Sequence, residues 1–182
     1  MPKFSEDIKK YKKYSGKSGL VLFFTQQGLW ALFFYRINHT IYKSSLPKFI
    51  KKVLLFFCVL SQKWIEIVAG ISLPYSAKIG HSFYIGHFGN VILHANSVIG
   101  DNCNIAQGVT VGVSGRGKKR GVPVIGNNIY IGANATIVGN IIIGNNAVIA
   151  ANSLVVDDVP EGTTVLGVPA VVVNTNDSTG YI

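Results

Sequence analysis

The chain has 182 residues, 48% of them hydrophobic, with two cysteines and a formal net charge of +9. That length suits one domain plus a smaller element, and two cysteines exclude a secreted disulfide framework and point to a reducing cytoplasm. Residues 1–70 hold twelve Lys/Arg against Glu6, Asp7 and Glu66, while residues 71–182 hold five charges of each sign, so the chain divides into two regions with different roles.

The opening residues lack the basic start, apolar run and small-residue cleavage site of a signal peptide. Two apolar runs follow, residues 20–35 and residues 53–60, the first interrupted by Gln26, Gln27 and Gly28. Neither reaches the roughly 18 apolar residues of a membrane-crossing helix. Two or three helices are expected over residues 1–70, with Pro47 near a boundary and His39 in a structural place. Two compatible roles stand open for this segment. The helices cap the exposed end of the domain that follows, or they lie with their lysines and aromatics on an anionic membrane surface as a peripheral contact.

From Ile79 a six-residue period takes over. Branched aliphatics recur at Ile79, Ile85, Leu93, Ile99, Ile105 and Val111, and again at Ile125, Ile131, Ile137, Ile143, Ile149 and Val155. The next residue is usually glycine or alanine. Such a repeat predicts a parallel β-helix, mainly β, in which the aliphatics stack inward and three hexads make one coil. Residues 71–173 form this domain and residues 174–182 a tail.

The phase breaks twice. Ile85 and Leu93 are eight apart, with His87 inside the insertion, and Val111 and Ile125 are fourteen apart, so residues 113–123 loop out. Breaks in a regular scaffold are where functional side chains are presented. Counting hexads from Ile85 puts His87, Gln107, Ala133 and Ala151 in one column along a corner. A base at one end and small residues beyond it suit a thin, extended ligand.

Other residues have plainer readings. His81 and Asp101, three hexads apart, read as an exposed polar pair, and Cys103 as core filler. His94 stands where a small residue is usual. Arg116, Lys118, Lys119 and Arg120 read equally as a solvated loop or as partners for phosphates or an acidic glycan. No recognised nucleic-acid-binding module and no metal-ligand spacing appears, so neither nucleic acid nor a metal is expected.

Several of these pieces occur together in one known family. Ile79-Gly, the His87 segment, Val98-Ile-Gly-Asp-Asn, Gln107-Gly-Val-Thr-Val-Gly, Ile131-Gly-Ala-Asn-Ala and Gly167-Val-Pro-Ala resemble the serine acetyltransferase branch of the hexapeptide-repeat acyltransferases. The resemblance implies a left-handed coil, a homotrimer with sites between subunits, and acetyl-CoA as donor. It implies His87 as the base that deprotonates an acceptor hydroxyl and a backbone N–H at Gly112 for the oxyanion. Gln107, Gly112, Gly132, Ala133 and Ala151, with Lys118 and Lys119, are the positions expected to line the acetyl-CoA groove. Imidazole can take a hydroxyl proton near neutral pH, so direct attack needs no covalent enzyme intermediate.

Three departures bear on the acceptor. The family's aspartate seven residues before the first Ile-Gly step is Ser72 here, the aspartate before the histidine is Gly86, and the Arg-His-Pro of the loop is Gly121-Val122-Pro123. A site for a zwitterion loses its charge partners by these changes. The expected acceptor is therefore a carbohydrate hydroxyl of a bacterial surface polysaccharide or its precursor, as in the colanic acid-type acetyltransferases. Serine O-acetylation, with a rearranged serine site, is the alternative. Ser72, His94 and Arg120 are candidate acceptor contacts. Ser72, Glu66 or a backbone carbonyl is left to orient His87.

Overall fold

The computed structural model describes residues 2–117 and 120–182. Among them, four helices come first: α1 (Pro2–Ser15), α2 (Gly19–Thr25), α3 (Gln27–Lys43) and α4 (Lys48–Ala69). The sequence suggested two or three. The apolar run 20–35 splits at Gln26, an extended residue that ends α2 and begins α3, so α2 and α3 meet at 97°. Pro47 caps α4, a place where its missing N–H costs nothing.

The remainder is a left-handed parallel β-helix of three faces. The first face stacks β1 (Ile71–Ser72), β4 (Val91–Leu93), β7 (Thr110–Gly112), β10 (Thr136–Val138) and β13 (Leu154–Val155). The second stacks β2 (Lys78–Ile79), β5 (Val98–Ile99), β8 (Val124–Ile125) and β11 (Ile142–Ile143). The third stacks β3 (Tyr84–Ile85), β6 (Asn104–Ile105), β9 (Tyr130–Ile131), β12 (Val148–Ile149) and β14 (Thr164–Gly167). An antiparallel strand, β15 (Ala170–Asn174), closes that face. All twelve repeat aliphatics named above are buried. So is a second set two residues earlier, including Phe83, Val91, Cys103, Ile129 and Ala147. Each hexad thus sends two side chains inward, and burial of aliphatic groups drives the stacking.

Corners need backbone with positive φ, which non-glycine residues adopt reluctantly and asparagine best. Asn102, Asn128 and Asn146 supply it at one corner. Their side chains also form a ladder: Asn102 Nδ2 donates to Asn128 Oδ1 at 2.9 Å, and Asn128 Nδ2 to Asn146 Oδ1 at 2.9 Å. Side chains therefore repeat the inter-coil bonding that the strands make with their backbone.

The helices cap the first coil, whose strand edge would otherwise leave backbone groups unpaired. Tyr35 Oη donates to Ala77 O at 2.8 Å and accepts from Ile79 N at 3.0 Å. Tyr11 does the same for Ile85, donating to its carbonyl at 2.8 Å and accepting from its N–H at 3.0 Å. Between them, Asp7 accepts from Phe83 N at 2.9 Å, and Arg36 donates to the Ile79 and Gly80 carbonyls. Asp7 and Arg36 pair at 2.9 Å with both side chains buried. Burial pushes the Asp7 carboxyl upward against the pull of Arg36 and the Phe83 N–H. Gly28 lets α3 come this close, because a Cβ there would lie 2.5 Å from Ile85 O.

Candidate active site

The turn joining β3 to β4 carries His87, and its register differs from the hexad count. Gly86 N still donates to Ile105 O at 3.4 Å, and the ladder resumes where Gly108 N donates to Gly89 O at 3.2 Å. Asn134 N donates to Gln107 O and Asn152 N to Ala133 O in the same pattern, at 2.9 and 2.8 Å. The column is therefore Gly89, Gln107, Ala133 and Ala151, with His87 outside it. The two inserted residues are His87 and Phe88, and the chain extrudes both: His87 is exposed and Phe88 is 64% exposed. Gly89 N donates to Ala69 O at 2.8 Å, which ties the turn to the end of α4. An imidazole at the tip of an anchored bulge is reachable by a ligand lying along the corner.

Hollows lie on both sides of this turn. One, of about 190 Å³, is formed by His87, Gly86, Ala106, Tyr84, Asn104, Tyr130 and the tail residue Tyr181. The other, of about 340 Å³, is lined by Lys63, Glu66, Gly70, Ser72, Asn90 and Ile92. Glu66 stands beside the position where the family's aspartate is replaced. Ser72 Oγ donates to Glu66 Oε1 at 2.6 Å, Gln62 Nε2 to the same oxygen at 2.9 Å, and Lys63 Nζ to Oε2 at 2.6 Å. Burial alone pushes the Glu66 carboxyl upward, but the bonds from Lys63, Ser72 and Gln62 outweigh it and hold the carboxyl below the ordinary glutamate value. Ser72 thus meets a carboxylate brought from α4. The pairing of Glu66 with Ser72 is six residues apart in sequence and crosses a helix end, so hexad counting could not find it.

The other two departures differ in the room they leave. A Cβ on Gly86 would sit 3.1 Å from the Tyr84 ring, and one on Gly121 would sit 2.6 Å from Asn140 Cβ. In this chain the loop position of the family arginine takes no side chain unless Asn140 moves. Ser114 and Gly121 exchange backbone bonds at 3.2 and 3.1 Å, pinching the loop at its base. Arg116 and Arg120 are exposed at its tip, while Lys118 and Lys119 lie outside the described residues.

The remaining candidates fall elsewhere. Gly112 ends β7 and pairs with Val138. His94 follows β4 at the same edge of the first face, its Nδ1 accepting from Asn96 N at 3.1 Å. Both are separated from the His87 turn by a three-residue strand, roughly 10 Å. Gly132 is buried with its N–H donated to Ile149 O at 2.8 Å, and a Cβ there would lie 2.6 Å from Ala151 N. Its missing side chain lets the coils close up. His81 and Asp101 form the exposed pair expected, at 3.4 Å. His39 is half-buried against Tyr75 O at 2.8 Å. Cys103 is buried in the core, and burial pushes its thiol up to about 11. Among the described residues no cluster of His, Cys, Asp and Glu could hold a metal ion.

Comparison with known proteins sets these features in context. Residues 123–157 match the family "Bacterial transferase hexapeptide (six repeats)". A serine acetyltransferase of Staphylococcus epidermidis is 35% identical over 162 residues, covering 87% of this chain and 71% of that protein. The chain belongs to the serine acetyltransferase family of hexapeptide-repeat transferases. A Synechocystis serine acetyltransferase is 38% identical over 160 residues, 88% of this chain. The chain spans 61% of that relative's own length, and 62% of a Synechococcus elongatus serine acetyltransferase to which it is 33% identical over 159 residues. The family likeness extends to solved structures. A Brucella abortus serine acetyltransferase in complex with coenzyme A superposes with a TM-score of 0.83 at 27% identity, over 96% of this chain and 67% of that one. A Neisseria gonorrhoeae serine acetyltransferase in complex with serine gives 0.79 at 35% identity, over 93% and 67%.

Proposed function

We propose that this protein is an acetyl-CoA-dependent O-acetyltransferase in which His87 is the general base. The observation that carries the reading is the anchored two-residue bulge that presents His87 on a corner whose next places are Gln107, Ala133 and Ala151. The pantetheine arm of acetyl-CoA follows that corner, with Lys118 and Lys119 of the loop as phosphate partners. His87 takes the acceptor hydroxyl proton as the oxygen attacks the thioester carbonyl. A carbon–oxygen bond forms, the carbon–sulfur bond breaks, and the proton passes to the departing CoA thiolate. A backbone N–H at the end of β7, at Gly112, receives the developing oxyanion.

Relatives named serine acetyltransferase favour L-serine as the acceptor over the sugar hydroxyl expected from the sequence. The hollow beside the His87 turn offers a rearranged zwitterion site, with Glu66 for the ammonium and Lys63 for the carboxylate. A second reading keeps a sugar hydroxyl, on the strength of Gly86 and Gly121, which carry no charge, and of Asn140, which a side chain at Gly121 would meet at 2.6 Å. The working assembly is a homotrimer in the cytoplasm.

Incubation with acetyl-CoA and either L-serine or polysaccharide repeat units, following CoA thiol release, separates the readings. Serine-dependent release establishes the first, and release with oligosaccharide alone establishes the second. His87→Ala is expected to lower turnover by about 100- to 10,000-fold, the usual contribution of a general base, with the oligomer intact. Undiminished activity in that variant would overturn the mechanism.

A further inference from the structure

Helix α4 turns its apolar side away from the protein. Phe49, Phe56, Phe57, Leu60, Trp64 and Ile67 are between 49% and 83% exposed. At 3.6 residues per turn they fall on one stripe, and Cys58, Ile65 and Ala69 on the opposite side are buried. By the same geometry Lys48 and Lys52 border one edge of the stripe, and both are exposed. Trp64 continues it into a groove of about 300 Å³ lined by Phe23, Phe24, Trp30, Phe33, Phe34 and itself, with no polar residue. Leu20 and Phe24 of α2, 71% and 70% exposed, extend the surface. An outward stripe of this extent marks a docking face.

Charge selects the occupant. Residues 1–70 hold twelve cations. Of their three acids, Asp7 is buried with Arg36, Glu6 pairs with Lys9, and Glu66 pairs with Lys63. A second copy docked face to face would set these lysines against their own kind. A bilayer with anionic headgroups meets both the lysines and the stripe. Among the described residues no single helix is long and apolar enough to cross a membrane, so a helix lying along the headgroup boundary is the fitting geometry. We propose that α2 and α4 dock the protein on an anionic phospholipid surface, with the stripe immersed and the aromatic groove receiving an acyl chain. The docking is independent of which acceptor the enzyme uses.

The test is flotation of the full chain with vesicles of phosphatidylglycerol and phosphatidylcholine, against phosphatidylcholine alone. The protein is expected to float with the anionic vesicles only, and to be released by high salt. K48E/K52E is expected to weaken binding on the order of 100-fold or more, and F56E/I67E to abolish it. Both variants change exposed residues, and unchanged circular dichroism melts will show that they fold. In a Trp30→Phe background, lipids brominated on the acyl chain are expected to quench Trp64. Failure to float, equal binding to both vesicle types, or unquenched Trp64 overturns the proposal. So does a fall in oligomer mass in F56E/I67E, which assigns the face to another copy.

Discussion

Replacing Ser72 by alanine tests whether the carboxylate from α4 belongs to the active site. The substitution removes one hydroxyl and leaves the coil intact, since Ser72 is half-buried in a strand of two residues. Its bond to Glu66 is 2.6 Å long and charge-assisted, a class worth about 1.5–3 kcal/mol. The bond from Lys63 lowers the carboxyl most, but that side chain is 65% exposed, so it is mobile and solvent screens it. Most of the orientation of Glu66 therefore rests on Ser72 and Gln62. If Glu66 holds the acceptor or steers His87, Ser72→Ala lowers kcat/KM by about 10- to 100-fold, at about 1.4 kcal/mol per tenfold. Glu66→Gln is expected to lower it at least as far. Steady-state rates of CoA thiol release across acceptor concentrations measure both. A rise in KM assigns Glu66 to acceptor binding, and a loss in kcat alone assigns it to the base. Rates within about twofold of the parent enzyme, with an unchanged melting temperature, would refute the placement of Glu66 in the site.

Lys10 is buried with its Nζ donating to Asn102 at 2.7 Å, and burial lowers its pKa from 10.5 to about 8. The unfolded chain keeps that proton up to about pH 10.5, so the cost of the buried charge is fully present below about pH 8 and stability rises between the two values. Lys10→Met is expected to remove this rise and to stabilise at pH 7 by roughly 2 kcal/mol, after about 1 kcal/mol is lost with the Asn102 bond. Urea denaturation at pH 7 and pH 9.5 checks it. Arg36→Met is expected to destabilise by about 3–5 kcal/mol because it strands Asp7 without its cation. Asp7→Leu with Arg36→Met together should cost less than the single change, and a double-mutant cycle by denaturant titration reads the difference.

The β-helix was legible because its cause is periodic. Each hexad needs inward aliphatics and a corner that tolerates positive φ, and both leave marks at fixed spacing, as Ile125, Ile131 and Ile137 do. The place of His87 was legible only in part. An eight-residue spacing announces two extra residues, but it does not say which two leave the ladder. The bonds of Gly86 and Gly108 decide that, and they put Gly89 where counting put His87. That the helices cap the coil was one of the two roles read from the sequence, but the bonds that make the cap were beyond pattern reading. Tyr11 and Ile85 are 74 residues apart, and a tyrosine hydroxyl serving a strand edge has no periodic signature. Glu66 was named in the sequence as one group left to orient His87, but its bond to Ser72 was not legible, since that bond comes from the end of α4 meeting β1.

Geometry within one chain also argues for assembly. His87 enters the first face and Gly112, His94 and the loop leave it, so roughly 10 Å of strand separates the base from the proposed oxyanion donor. In the proposed site one copy's base would meet a neighbouring copy's loop, and a closed ring of three would give every base a loop. Subunit complementation tests this. His87→Ala lacks the base, and a chain in which residues 115–120 are removed, Ser114 being joined to Gly121 across the existing bridge, lacks the loop. Each alone is expected to be inactive. Refolded together in equal amounts, they form interfaces of which about a quarter pair an intact His87 with an intact loop. Activity near a quarter of the parent value is the expected result. Mixtures as inactive as either parent variant would mean that each chain carries its own complete centre, and the division of the site between subunits would fall.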